Sequence, residues 1–471
     1  MSTAPATPAP ALPPSTDTVY SRFRSFIRIV DSRYEDINKQ NWKTVLYRDF
    51  SAGLIVALTA IPMAMGFAMA MGLKPEQGII AGALACAVGR TFGGSKYQVY
   101  GPTAAYIPII AGLMHKYGTD SGGNFEQAHG FLVLVSIIAG VLLMIMGLAG
   151  LGKWAKLVPA SVVVGFTVGI AITIAASNFA EGIGISASGG SLRKVIPKVI
   201  ENIGMFNGWA LFLALLTFSV TKILQKISIF IPAPLIGLGV GTGLAATVLS
   251  DKNIVLLKDR FGSIPTHFFV FTPPQLPPAT AALVVDILYY VVAIAFVAGI
   301  ESLLCSSMAD RLAKNKGTPF DPNREFWGQG LVNVITPLVN GFPCTGALAR
   351  TATSIKAGAV SPLAGYFKFV LKLSMAWLLA SQLEHVPMAC IAGILLWVAS
   401  NMIKFEEVKE VKATGRFHTG IMIFTAVMVP ATDFLTGVLS ALVLHFVLRR
   451  FFLPRTTVEG QSAQQHATPA A

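Results

Sequence analysis

Two short segments carry residues whose types and spacing suit the binding of an anion. Residues 100–106 read YGPTAAY and residues 341–351 read GFPCTGALART. Each sets Gly, Pro, Thr and small residues inside an apolar stretch, and each reads as the start of a half-helix within a membrane span. In the first, Gly101 permits a bend, and Pro102 suits a first helical turn, where its missing N–H costs nothing. Thr103 offers a hydroxyl, and Ala104 and Ala105 let a ligand approach the backbone N–H groups. In the second, Pro343, Thr345, Gly346 and Ala347 repeat the design. A helix N-terminus presents unpaired N–H groups and about half a positive charge. Two of them face to face form a receptor for an anion. A Pro-kinked helix packed through small residues is the simpler reading of either segment alone. The pair falls at corresponding places in the two halves of the chain, which is the sequence pattern of a membrane carrier's binding site.

Other polar residues lie deep in apolar segments. Glu301, within AFVAGIESLLCSSMAD, is an intramembrane carboxylate and therefore a functional-site hypothesis; burial favours its neutral form, which suits a proton carrier. Arg350 follows the second motif and either adds a fixed positive charge to the site or snorkels to the cytoplasmic surface. Lys368 and Lys372, one turn apart, read as snorkelling or structural. Asn178, Glu181 and Asp433 read as interface or cap residues. Phe67, near Pro62 in IPMAMGFAMAMG, either walls the site or packs in the core.

The elements that must position these groups are membrane helices. Of the 471 residues, 54% are hydrophobic and only 13% charged, about half the charge of a soluble domain. Apolar runs of membrane-spanning length recur along the chain. They predict fourteen spans near 49–72, 77–94, 98–115, 129–151, 157–180, 207–225, 231–250, 281–309, 326–340, 343–359, 361–383, 386–403, 417–431 and 434–453. The third and tenth are short or broken and carry the two motifs, so the spans divide as a seven-plus-seven inverted repeat. Residues 1–48 read as a cytoplasmic tail followed by a basic amphipathic segment on the inner membrane surface. Residues 49–453 form the transporter domain, and 454–471 a disordered cytoplasmic tail. Residues 251–280, rich in Pro, read as a loop lying over the outer face, and 404–416 as a cytoplasmic linker.

The net charge of +13 is distributed as the positive-inside rule requires, concentrated in the terminal segments and alternate loops. It argues for a cell membrane protein with both termini cytoplasmic, and against a nucleic-acid partner. Cys86, Cys305, Cys344 and Cys390 lie in apolar segments without metal-ligand spacing and read as buried small hydrophobes. No cofactor motif is present. Without a Walker P-loop, energy for transport comes from an ion gradient or from exchange.

At these residues the chain resembles the SulP family of anion permeases, relatives of the animal sulfate and chloride–bicarbonate exchangers. The resemblance runs from about Asp49 to Phe452. It rests on DFSAGLIVAL, IPMAMGFAMAMGLKP, GGSKYQVYGPTAAY, GIESLL, NREFWGQGLVN and PCTGALARTATSIKAGAVSPLAG. It implies an all-α fold of fourteen spans in a uracil-transporter-like inverted repeat, with short extended stretches before half-helices 3 and 10. A core domain (spans 1–4 and 8–11) would move against a gate domain (spans 5–7 and 12–14). Substrate contacts fall on Phe67, Thr103, Ala104, Ala105, Thr345, Gly346, Ala347 and Arg350, with Glu301 in coupling. Three departures matter. Met63 stands where many members have Gln. Glu301 and Cys305 stand where sodium-coupled bicarbonate members have Asp and a hydroxyl residue, which leaves a weak sodium site at Glu301, Ser302 and Cys305. No STAS domain follows the last span. The expected function is secondary transport of sulfate or bicarbonate by an elevator-like motion, coupled to protons or sodium, in the lipid bilayer and as a homodimer. A dicarboxylate or nucleobase carrier, an uncoupled anion channel and a non-transporting sensor are the rival readings; an enzyme is the least favoured.

Overall fold

Away from water a backbone must satisfy its own N–H and C=O groups, so long apolar runs become helices. The computed structural model describes residues 18–119, 124–152, 158–186, 192–265, 267–279 and 281–452, and they are mostly helical. A helix, or a short strand followed by a half-helix, stands at each of the fourteen expected segments. Seven of the described helices are long and apolar enough to cross a membrane, the longest being Trp42–Ala70 and Leu283–Leu312. Three apolar ones, including Ala233–Thr247 and Arg416–Ala431, are shorter.

Local chemistry sets the boundaries. Trp42–Ala70 ends in a paired turn in which Gly72 N–H donates to Met69 O at 3.0 Å and Leu73 N–H to Ala68 O at 2.9 Å. The turn needs a positive φ at Gly72 (78°), which glycine adopts without a Cβ penalty. Pro75 then opens the helix Pro75–Phe92, where its absent N–H is harmless. Asp433 accepts from Thr436 N–H at 3.1 Å, capping the last helix as expected.

Helices pack in preferred sets. Trp42–Ala70 lies against Leu363–Glu384 and Pro75–Phe92, and Phe125–Leu148 against Pro322–Leu338. Separately, Ala160–Gly182 packs on Arg416–Ala431 and Met388–Met402, and the latter also on Gly208–Ile227. Residues 251–265 and 267–279 reach the helix ends: Leu257 N–H donates to Val386 O, Thr272 N–H to Leu338 O and Gln275 N–H to Gly130 O.

The basic N-terminal segment is helical only in part. Its helix ends at Phe26, and Arg33 is buried against protein. Arg33 Nη1 donates to Arg90 O and Gly93 O, and Nη2 to Thr91 O. Asp31 joins Arg33 to Arg324, and Lys96 pairs with Glu35 and Asp36. Carbonyls at the end of Pro75–Phe92 lack helical partners, and a guanidinium satisfies three of them at once. The segment is thereby latched to the chain that leads into the first motif.

Candidate functional site

The two motifs meet. Tyr100–Gly101 (β1) pairs antiparallel with Thr345–Gly346 (β2), Tyr100 opposite Gly346 and Gly101 opposite Thr345. After β1, Thr103 leads into a single turn at Ala104–Tyr106 that continues as the helix Ile107–Met114. After β2, Ala347 leads into the helix Leu348–Lys356. Both half-helices therefore start at one short ladder and run away from it, with their N-termini adjacent.

Extended backbone at this depth persists only where protein satisfies it, and here side chains do so. Arg90 donates to Lys96 O and to Tyr97 O, Lys368 Nζ to Tyr100 O at 3.0 Å, and Arg350 Nη2 to Pro102 O. Ala347 N–H donates to Val99 O, and Val99 N–H to Thr351 Oγ1. On the N–H side, the Glu325 carboxylate accepts from Gly94 N–H, Ser95 N–H, Tyr100 Oη, Gln98 Nε2 and Ser302 Oγ.

The expected site residues sort as follows. Thr103 Oγ1 donates to Glu301 Oε2 at 2.9 Å, and both residues are only partly buried, as is Leu348, while Ala349 is exposed. This is the accessible side of the site. Ala104 and Ala105 are buried at the first turn, where N–H groups lack helical acceptors. Thr345 Oγ1 donates to Ala298 O at 3.1 Å, tying β2 to the helix that carries Glu301. Phe67 is buried and shares the apolar core with Ala104 and Ala105.

Two details differ from the sequence reading, and a third, at Arg350, decides between its two alternatives. Thr345 and Gly346 form β2 and Ala347 N–H is taken by Val99 O, so the open first-turn donors of the second half-helix are Leu348–Arg350 instead. Arg350 does not snorkel: it is 5% exposed and lies against Gly101 and Pro102. Ser302 and Cys305 do not converge with Glu301 on a cation. Ser302, the next residue, points about 100° away from Glu301, and its Oγ donates to Glu325; Cys305, one turn on and on nearly the same face, has its Sγ against Thr351 Oγ1. Ser306, too, donates to Gln98 Oε1 rather than facing Glu301.

Lys368 and Lys372 are buried at 1% and 0% exposure and do not reach an interface. Glu325, Gln98 and Arg90 are neighbours of the ladder that sequence reasoning passed over, and the two lysines, read there as snorkelling or structural, adjoin it as well. The signal for them was available: each is a charged or amide group inside an apolar span or its broken approach. Away from the ladder, Glu181 pairs with Arg260 at 2.9 Å, and Asn178 Nδ2 donates to Ile174 O within its own helix.

With this geometry in view, comparison with known proteins is decisive for the family. The family model described as the sulfate permease family matches residues 46–425. The chain belongs to this family. A Bacillus subtilis (strain 168) protein named "Putative sulfate transporter YvdB" is 34% identical over 439 residues, covering 93% of this chain and 78% of the relative. The solved transmembrane domain of a cyanobacterial bicarbonate transporter, BicA, has a TM-score of 0.72 at 22% identity, covering 86% of this chain and 98% of that one. The murine Slc26a9 anion transporter, solved in an inward-facing state, has a TM-score of 0.77 at 15% identity, covering 91% of this chain and 72% of that one. These two establish the fold. The family and these relatives are multi-pass membrane transporters, not enzymes.

Proposed function

We propose that the protein is a secondary transporter of a small inorganic oxyanion, sulfate or bicarbonate, working by elevator-like alternating access. The observation that carries this reading is the ladder between β1 and β2, which sets two helix N-termini side by side with the buried Arg350 guanidinium at their junction. Such a junction favours negative charge, and the relatives' names and the family description agree with it. The open first-turn N–H groups at Ala104–Ala105 and Leu348–Arg350 would hold the anion's oxygens, with Thr103 oriented by Glu301.

The helix that carries Glu301 packs on Phe125–Leu148, β2 and Leu348–Lys356; β1 packs on Pro75–Phe92 and Leu348–Lys356 on Trp42–Ala70, and these two long helices lie against Leu363–Glu384. The helices from Ala160–Gly182 to Ala233–Thr247, and from Met388–Met402 onward, form the other group. This supports a carrier body that moves against a scaffold, in a fourteen-span inverted repeat with both termini in the cytoplasm. Glu301 is the coupling residue, exchanging a proton as the site changes sides. A sodium-coupled cycle has less support, since Ser302 and Cys305 face other partners.

Uptake of labelled sulfate and of labelled bicarbonate into proteoliposomes, with a proton gradient or a sodium gradient imposed separately, tests the reading. Proton-driven accumulation of either anion is the expected result. Sodium-driven accumulation would overturn the coupling assignment, and absence of uptake of both would overturn the transport reading.

A further inference from the structure

Four cationic side chains from three helices surround residues 96–103. Arg90, Arg350 and Lys368 donate to carbonyls of that stretch. Lys372 reaches the same place from one turn further on: a Cβ built on Gly82 would collide with its Nζ and lie 3.1 Å from Pro102 Cδ. Lys372 Nζ otherwise donates only to Gly78 O, at a long 3.3 Å. All four groups are between 0% and 5% exposed, and among the described residues none of them forms an ion pair.

Carbonyl oxygens satisfy an ammonium's hydrogen bonds but not its charge. In a low-dielectric interior an uncompensated charge is costly, and a fixed counter-charge relieves it. Three buried or partly buried carboxylates serve these cations: Glu325, through Gln98 and Tyr100, Glu301, through Thr103, and Asp49, whose charge acts on Arg90. Four cations against three carboxylates leave positive charge in excess. Arg350 Nη1 is also buried without a hydrogen-bond acceptor, beside Gly101, where a Cβ would sit 2.9 Å away.

We propose that Lys368 and Lys372 set the valence of the transported ion. By leaving an excess of positive charge behind β1, they make the site take a doubly charged oxyanion in preference to a singly charged one. The inference rests on the anion-transport reading and deepens it. The lysines act through the field and need not touch the anion. They are specificity-setting positions, with the binding contacts left to the half-helix N-termini.

The experiment uses the full chain in proteoliposomes. Uptake of labelled sulfate is measured against unlabelled divalent competitors (selenate, oxalate) and monovalent ones (bicarbonate, nitrate). The wild type should be inhibited more strongly by the divalent set. Lys372→Met and Lys368→Met should each shrink the divalent-to-monovalent preference by about tenfold, the scale of one buried charge acting at short range, whereas Lys372→Arg and Lys368→Arg should keep it. A purely structural role for the lysines would lower uptake of all anions together and leave the preference unchanged, and that result overturns the inference. So does a wild type that prefers monovalent anions, a measurement that holds even if the methionine variants fail to fold. A wild type that carries no anion removes the transport reading itself, a different outcome from transport with an unaltered preference.

Discussion

Thr103 Oγ1 donates a 2.9 Å hydrogen bond to Glu301 Oε2, although the residues are 198 positions apart. The bond joins the entrance of the first half-helix to the middle of Leu283–Leu312, so in the proposed mechanism it is the link between the protonation of Glu301 and the shape of the anion site. Thr103→Val removes the donor while keeping the side chain's shape. Loss of one hydrogen bond to a charged group costs about 1.5–3 kcal/mol, and initial uptake should fall roughly ten- to hundredfold.

Glu301→Gln separates binding from coupling. The amide oxygen can still accept from Thr103, so exchange of labelled for unlabelled anion across the membrane should persist. Accumulation driven by a pH gradient should vanish, because glutamine carries no exchangeable charge. Gradient-driven accumulation that survives in this variant would show that the proton is carried elsewhere.

Arg350 and Gly101 form a matched pair: the guanidinium occupies the space a side chain at position 101 would need, with the built Cβ only 2.9 Å from Nη1. Gly101→Ala should displace Arg350 from Pro102 O and lower uptake by about tenfold, a loss of about 1.4 kcal/mol. Arg350→Lys should behave similarly, since an ammonium lacks the planar fork. Normal uptake by both variants, measured at equal protein per vesicle, would remove Arg350 from the site.

The placement of the motifs was legible because Gly and Pro inside apolar runs have few other readings. Their pairing as β1 and β2 was only partly so. The sequence announced two broken spans, but which N–H groups stay open depends on strand register, and Ala347 N–H is claimed by Val99 O, an acceptor no local pattern reveals. The contacts of the basic segment 20–48 were hidden for a related reason. Its composition suits an amphipathic segment at the membrane surface, and it cannot show that Arg33 meets carbonyls at the end of Pro75–Phe92. Lys368 and Lys372 read as either snorkelling or structural, and only the carbonyls of Tyr100 and Gly78, which no local pattern reveals, decide for the second.

Glu325 holds the approach to the first motif through five donors, four from residues 94–100 and one from Leu283–Leu312. Each donor points at a carboxylate oxygen, so the amide group of Glu325→Gln must turn its N–H₂ toward one of them. The expected cost is about 3 kcal/mol or more, because charge-assisted bonds are lost and buried donors are left unpaired. The melting temperature of the purified variant in detergent should fall clearly below that of the wild type. A melting curve that overlays the wild type would mean that the Glu325 network contributes little to stability.

The N-terminal latch should be sensitive to acid. Burial alone would raise the Asp31 carboxyl, but its hydrogen bonds and Coulombic attraction to Arg33, together with the charge of Arg324, outweigh this and hold it below the ordinary aspartate value. Burial and repulsion from Arg33 act the other way on Arg324, and its attraction to Asp31 does not fully offset them, so it lies below the usual arginine range. A carboxyl whose folded value is depressed contributes stability that is fully present above its unfolded value, near 3.8, and is lost as the pH falls through the lower folded value. Protease cleavage within residues 20–40 should therefore stay slow at neutral pH and speed up only in strong acid. In Asp31→Asn the same cleavage should be faster at pH 7 and show less further acceleration on acidification, because the charge that titrates is already gone. Equal cleavage of wild type and Asp31→Asn at pH 7 would mean that the three carbonyl contacts of Arg33 hold the segment without help from Asp31.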